Sequence, residues 1–147
     1  MAVIDDTPEC QRAVHYAGRR AKNSNGGLVL VYVIPDGDFQ QWLGVEEIMR
    51  AEAREEAEAV VAKSAQLVRE NIGIEPEIVI REGGAAEQIN AVIEDDRDIA
   101  ILVLAASSAK EGPGPLVASV AGRGAAFPIP VTVLPDTLSD EELDALA

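Results

Sequence analysis

The residues best suited to chemistry lie between Leu104 and Val120, in the stretch LAASSAKEGPGPLVASV. An apolar run, DIAILVL, leads into this stretch, and a segment with helical spacing follows it. Small residues at such a strand-to-helix junction let backbone N–H groups approach phosphate oxygens. The glycines Gly112 and Gly114 alternate with prolines, however, and each proline lacks an N–H donor. Three interpretations follow: a site for nucleotide phosphates, a site for another small anion, or a plain connection.

Asp5 and Asp6 form a second candidate group, where the first apolar run ends. They could bind a metal or a ribose, or act as anions near the positive end of the next helix. His15 and Cys10 are the only histidine and cysteine, so the sequence offers no cluster of histidines or cysteines at the spacing of a metal site. We therefore expect no metal site and no histidine-based triad. Phosphate-loop (GxxxxGK[ST]) and nucleophile-elbow (GxSxG) motifs are missing from the sequence, so no catalytic residue is predicted.

The composition excludes several classes of partner. The chain has 147 residues and a formal net charge of -14, which disfavours nucleic acid and anionic membranes. Its sequence contains no apolar run long enough to span a membrane and no secretory leader. A single cysteine cannot form an internal disulfide, so we expect a cytoplasmic protein. The first apolar run begins almost at Met1, which leaves open that the native chain starts earlier.

Five apolar runs alternate with helical segments along the chain. The runs are AVIDD, LVLVYVI, PEIVIREGG, DIAILVLA and FPIPVTVLP. The first helix is expected to start at Thr7 as its N-cap, and later helices are expected over residues 45–71, 85–94 and 115–126. An acidic tail, residues 136–147, contains Ser139 and Glu142 at the spacing of a capping box, which predicts a short last helix.

This alternation predicts one α/β domain over residues 1–147. Continuous apolar strands that alternate with helices indicate a doubly wound, Rossmann-like sheet of five parallel strands with helices on both faces. Ligands in such sheets bind beyond the carboxyl ends of the strands, where the strand order reverses. The connections of interest therefore follow Ile4, Ile34, Ile80 and Leu104.

The whole chain resembles the universal stress protein family. AVIDDTPE is similar to the family's opening strand and turn, LVLVYVIP to its second strand, and IREGGAAEQI to its strand–glycine–helix step. DIAILVLA and FPIPVTVLP match its last two strands in order and spacing. The resemblance implies the Rossmann-like fold of adenine nucleotide alpha hydrolases. It also implies a stress-response module that regulates or binds rather than an efficient enzyme.

ATP-binding members of that family carry a signature that resembles G-x2-G-x9-G-[ST] after the fourth strand. Its four positions fall on Ala105, Ser108, Ala118 and Ser119, so three glycines are replaced and only the hydroxyl residue is kept. Because a Cβ hinders left-handed backbone and close approach to phosphate, we expect no robust ATP binding. The alternative is a member that binds ATP or AMP, with at most slow hydrolysis. AMP fits the altered loop better than ATP, and Asp5 would help hold Mg²⁺ with ATP. The nucleotide-site candidates implied by the resemblance are Asp5, Val33, Leu104, Ala105, Ser108, Ala118, Ser119 and Val120.

The resemblance further implies a homodimer formed through the last strand. That strand is short, apolar and expected at the sheet edge, which must be paired or covered. Cover by the acidic tail is the alternative. A third possibility, an ATP-pyrophosphatase-like subunit, would need a glycine- and serine-rich loop after the first strand, which DDTPEC does not supply. The candidate interface residues are Val131, Thr132, Val133 and Leu134.

Overall fold

The computed structural model describes residues 1–36, 45–121 and 127–147. Within these residues the chain forms five strands and five helices. The strands are β1 (Ala2–Ile4), β2 (Val29–Ile34), β3 (Glu77–Glu82), β4 (Leu102–Ala106) and β5 (Val131–Pro135). The helices are α1 (Cys10–Asn23), α2 (Val45–Asn71), α3 (Ala85–Asp95), α4 (Pro115–Ala121) and α5 (Asp140–Leu146).

All five strands lie in one parallel sheet in the order β3-β2-β1-β4-β5. The strand order therefore reverses between β1 and β4, which is the point where a doubly wound sheet opens a crevice. The predicted fold class is confirmed.

Apolar residues of β1, β2, β4 and β5 alternate between two cores, one on each face of the sheet. Ile4 and Leu30 belong to the core under α1, α2 and α5, whereas Val3 and Val31 belong to the core under α3 and α4. Burial on both faces explains why the strands read as continuous apolar runs.

Where they are described, the starts and ends of the helices agree with the sequence except at the start of α1. The prediction of Thr7 as the N-cap is wrong, because α1 begins at Cys10 and its cap residue, Glu9, makes no side-chain capping bond. Thr7 instead donates its N–H and its hydroxyl to Asp5 Oδ1. The predicted end of the fourth helix, residues 122–126, lies outside the described residues.

The acidic tail packs against α1. Ser139 caps α5 through a complete capping box with Glu142, as the spacing predicts. Leu143 is fully buried, and Arg12 donates to Asp140 Oδ1 at 2.6 Å. Among the described residues, side-chain contacts of α5 run to α1. In the part of the chain that the structure describes, no helix is long and apolar enough to cross a membrane.

Candidate functional site

The carboxyl ends of the strands place four chain positions in a row. In the register of the sheet, Ile4 pairs with Tyr32 of β2, and Ala2 pairs with Val103 of β4. Asp5 follows β1 directly, so it lies between Val33 on one side and the end of β4 on the other. On the far side of β4, Ala106 pairs with Pro135, which places Asp136 at the same edge. With neighbouring strands about 4.8 Å apart, Asp5 and Asp136 flank the end of β4 with about 10 Å between their strands.

The Asp5 side chain is already engaged with its own turn. Its Oδ1 accepts the N–H of Thr7 at 3.0 Å and the hydroxyl of the same residue. The carboxylate is half-buried, with Oδ1 committed to this turn. Asp5 therefore shapes the β1–α1 connection, and a ligand would have to use the remaining oxygen.

Several candidate side chains belong to the core. Leu104 and Val120 are 1% and 2% exposed, in the cluster beneath α3 and α4. Val33 is half-buried against the same cluster, and Ala105 is half-buried at the end of β4. Leu104 and Val120 thus hold α4 on the sheet, and any contact of these two with a ligand would come from their backbone.

Four of the seven backbone N–H groups in the β4–α4 connection, residues 107–114, bond to acceptors of the chain itself. The N–H of Ser107 bonds to Pro113 O at 3.1 Å, and the N–H of Ala109 bonds to Ser107 Oγ at 3.1 Å. Gly112 N–H bonds to Ala109 O at 3.1 Å. A phosphate loop needs such N–H groups free and convergent. This connection instead turns them toward its own acceptors.

The N–H of Ser108, the second signature position, bonds to a carboxylate of the chain. Asp136 Oδ2 accepts this N–H at 3.0 Å, and Asp136 N–H continues the ladder to Ala106 O at 3.1 Å. The bond from Ser108 lowers the pKa of the Asp136 carboxyl below its usual value, because a donor stabilises the charged form. The side chain of Ser108 lowers the same pKa further by hydrogen bonding to the carboxylate.

The positions of this connection that require glycine are not the glycine positions of the ATP-binding signature. Gly112 and Gly114 have φ of +104° and +97°, and a Cβ built on either would meet nothing within 4 Å. Asn25 is the one non-glycine residue with positive φ in the described ranges, so Ala105, Ser108 and Ala118 all have ordinary backbone. The expected strain at these replaced positions is therefore absent, and Gly112 and Gly114 make the turn instead.

Ala118 and Ser119 lie on the exposed side of α4. Because α4 begins at Pro115, Ser119 is its fifth residue, more than one turn beyond the start. Free N–H groups occur only in the first turn of a helix, and Ala118 N–H is already bonded to Gly114 O at 3.0 Å. Ser119 therefore lies beyond the residues of α4 whose N–H groups could be free.

Outside the carboxyl edge, His15 and Cys10 have structural partners. His15 Nε2 lies 2.7 Å from Asp144 Oδ1 on α5, and Cys10 is buried with its thiol directed at Val3 O. Burial raises the pKa of the Cys10 thiol to about 12. Among the residues that the structure describes, no group of three or more His, Cys, Asp or Glu side chains could hold a metal ion.

Two cavities beside the sheet, both lined by described residues, lie away from the loop. One, of about 640 Å³, opens at the amino ends of the strands beside Met1 and Leu28, which is the edge opposite the strand-order crevice. The other, of about 400 Å³, is an apolar hollow between α4 and β5. Its lining is Leu104, Val117, Val120, Ile129, Pro130, Val131 and Val133.

The candidate interface strand, β5, is an edge strand. It pairs with β4 alone in the described sheet, and Val133 is 44% exposed whereas Leu134 is 4% exposed. Val131 and Thr132 are half-buried. Val131 and Val133 also line the apolar hollow, so an apolar patch continues from the strand onto α4.

Sequence reasoning missed Asp136 as a site residue. It was grouped with the acidic tail, although an acid directly after the last strand must lie at the same edge as the other strand ends. The strand order β1-β4-β5, which places β5 beside the β4 connection, is the signal that would have identified it.

Comparison with known proteins identifies the family. The model of the universal stress protein family matches residues 1–135. No curated protein sequence matches the chain significantly. Universal stress protein UspA from Lactobacillus plantarum has 19% identity and a TM-score of 0.71, with 91% of this chain and 97% of that chain covered.

Two further solved structures have the same fold. A universal stress protein from Archaeoglobus fulgidus is 16% identical with a TM-score of 0.68, covering 90% of this chain and 89% of that one. A universal stress protein in complex with cAMP is 18% identical with a TM-score of 0.61, covering 92% and 96%. The TM-scores support the fold, and the family model shows membership: the chain belongs to the universal stress protein family.

Proposed function

We propose that this chain is a cytoplasmic, homodimeric regulatory module of its family that does not bind ATP robustly. The observation that carries the proposal is the β4–α4 connection, in which Ser107, Ser108, Ala109 and Gly112 donate their N–H groups to the chain's own acceptors. Binding of a triphosphate there would have to break several of these bonds. A cytoplasmic setting is supported by the free, buried Cys10.

A second candidate function is the binding of an adenine nucleotide with few phosphates. It is supported by the family relative solved in complex with cAMP and by the row of strand ends that includes Val33 and Asp5. In this function the site would comprise the eight candidate residues named from the sequence. ATP would bring Mg²⁺ near Asp5, whereas AMP would need fewer phosphate contacts from the loop.

The two functions are separated by direct binding measurements. We expect no nucleotide to be released when the protein, purified without added ligand, is denatured and analysed by mass spectrometry. We also expect no saturable heat on titration with ATP. Saturable binding of ATP at micromolar concentration would contradict the first function, and saturable binding of AMP alone would favour the second.

The proposed homodimer forms through β5. The other edge strand, β3, carries Glu77, Arg81 and Glu82, and charged side chains discourage edge pairing. The segment VTVLP of β5 carries no charge and adjoins the apolar hollow beside α4. Pairing with β5 of a second copy would satisfy the outer backbone groups and cover Val133.

Val133 and Ile78 offer a matched pair of variants for the dimer. They are 44% and 43% exposed, each on an edge strand. We expect Val133→Lys to shift the sedimentation equilibrium toward monomer and Ile78→Lys to leave it unchanged. Equal behaviour of the two variants would contradict an interface at β5.

A further inference from the structure

Two hydrogen bonds join the β4 end and the β4–α4 connection to Asp136 at the end of β5. Ser108 donates to Asp136 Oδ2, while Asp136 N–H donates to Ala106 O, so the two segments are joined in both directions. The acceptor is a charged oxygen, and bonds of this type are about twice as strong as bonds between neutral groups. The connection is thereby fixed to the sheet by a residue that lies outside the residues matched by the family model.

The carboxylate occupies the direction in which the Ser108 N–H would meet a phosphate oxygen. A carboxylate and a phosphate make the same demand on a backbone N–H, because both are anionic acceptors. A phosphate would therefore have to displace Asp136 and leave a charged group unpaired, or lie beside it and be repelled. Asp5, at the end of β1, adds a second acid on the other side of β4.

The side chain of Ser108 supports the same contact. It adds to the backbone N–H of Ser108 in lowering the pKa of the Asp136 carboxyl, because hydrogen bonds to a carboxylate stabilise its charged form. A phosphate at this position would therefore have to replace both contacts of Ser108 with Asp136.

We infer that Asp136 is the specificity-determining residue of this connection: its carboxylate takes the place of a phosphate at the Ser108 N–H and makes the loop reject phosphate-bearing ligands. The inference extends the proposed function by naming the residue that opposes ATP. It is tested with inorganic tripolyphosphate, which has no adenine, so its outcome does not depend on adenine recognition.

Two substitutions separate the effect of the negative charge of Asp136 from the effect of its hydrogen bond with the Ser108 N–H. Asp136→Ala removes both the charge and the acceptor, whereas Asp136→Asn removes the charge and keeps an oxygen that can accept from Ser108. We expect Asp136→Ala to bind tripolyphosphate about tenfold more tightly than the unchanged protein, because the Ser108 N–H becomes available and the nearest negative charge is removed. Asp136→Asn should gain less.

Glu111→Ala is the matched control. It removes one exposed acid from the same connection without freeing an N–H group. Its tripolyphosphate affinity should stay within about twofold of the unchanged protein. An equal gain in Glu111→Ala and Asp136→Ala would overturn the inference, because the effect would then be one of general charge.

Hydrogen exchange tests the contact without any ligand. The Ser108 amide should be protected in the unchanged protein and in Glu111→Ala, and should exchange faster in Asp136→Ala. If the Ser108 amide becomes exchangeable in Asp136→Ala and tripolyphosphate affinity does not rise, the shape of the loop excludes phosphate and the inference is wrong. If the unchanged protein itself binds ATP, the proposed function fails, but the comparison between variants still decides the role of Asp136.

Discussion

Arg12 on α1 and Asp140 on α5 form an ion pair of 2.6 Å that joins the first and last helices of the chain. Asp144, one turn further along α5, lies 3.1 Å from Arg19. The first pair is 28% and 63% exposed, and exposed pairs contribute about 0–1 kcal/mol each. The family model ends at residue 135, so α5 lies outside the matched region. The two ion pairs orient α5 on α1. The energy of docking must come mainly from apolar burial.

Leu143 should therefore be the residue on which α5 depends. It is fully buried in the core that also contains Leu134 of β5. Leu143→Ala is expected to lower the free energy of unfolding by about 2–5 kcal/mol, because it removes buried methyl groups and leaves a cavity. The control is Leu146→Ala in the same helix, where the side chain is 58% exposed, with an expected change within about 0.5 kcal/mol. Urea unfolding at one protein concentration measures both, and equal losses would mean that α5 is not docked as described.

Much of the fold could be predicted from the sequence because its signals are local or periodic. The uncharged strand LVLVYVI and the strand DIAILVLA indicated burial on both faces, and the structure places their residues in both cores. The capping box at Ser139 and Glu142 needs only a spacing of three residues, and it is present. Thr7 failed as an N-cap because its hydroxyl had a competing partner, Asp5, two residues earlier.

The candidate site was harder to predict because it depends on contacts distant in sequence. Ser108 and Asp136 are 28 residues apart, and only the pairing of β4 with β5 brings them together. The replaced signature glycines suggested backbone strain at Ala105 and Ala118. Such strain requires a positive φ, and in this connection the positive φ angles occur at the two glycines of GPGP instead. A motif fixes spacing, whereas the direction of each N–H depends on the whole connection.

Cys10 should make stability fall at alkaline pH. Burial raises the pKa of its thiol to about 12, whereas an exposed thiol titrates near 8.5. As pH rises, the thiol of the unfolded chain therefore loses its proton before the buried thiol does. The contribution of Cys10 to the free energy of unfolding is complete below about pH 8.5. It declines by about 1.4 kcal/mol per pH unit as pH rises toward 12. The fall in free energy of unfolding between pH 8.5 and 10.5 should be smaller in Cys10→Ala. Parallel pH profiles for the two proteins would contradict the burial of a protonated thiol.

Gly112 and Gly114 should be the glycines on which the connection depends. Both have positive φ in open space, so alanine there would be opposed by the backbone conformation and not by a neighbouring atom. Each change to alanine is expected to cost about 1 kcal/mol or more. Gly27→Ala is the matched control, since it also lies in open space but without positive φ, and it should change stability by less than about 0.5 kcal/mol. A loss at Gly27 equal to that at Gly112 would mean that φ is not the cause.

Restoring the signature glycines should not by itself restore ATP binding. The triple variant combines Ala105→Gly, Ser108→Gly and Ala118→Gly. None of these positions has left-handed backbone, so glycine relieves no strain there. The N–H at position 108 also remains bonded to Asp136. We expect calorimetry to detect no ATP binding by this triple variant. Adding Asp136→Ala should produce measurable affinity, because it frees the N–H and removes the nearest negative charge. Binding of ATP by the triple variant alone would show that side-chain bulk, and not the internal carboxylate, is what keeps phosphate out.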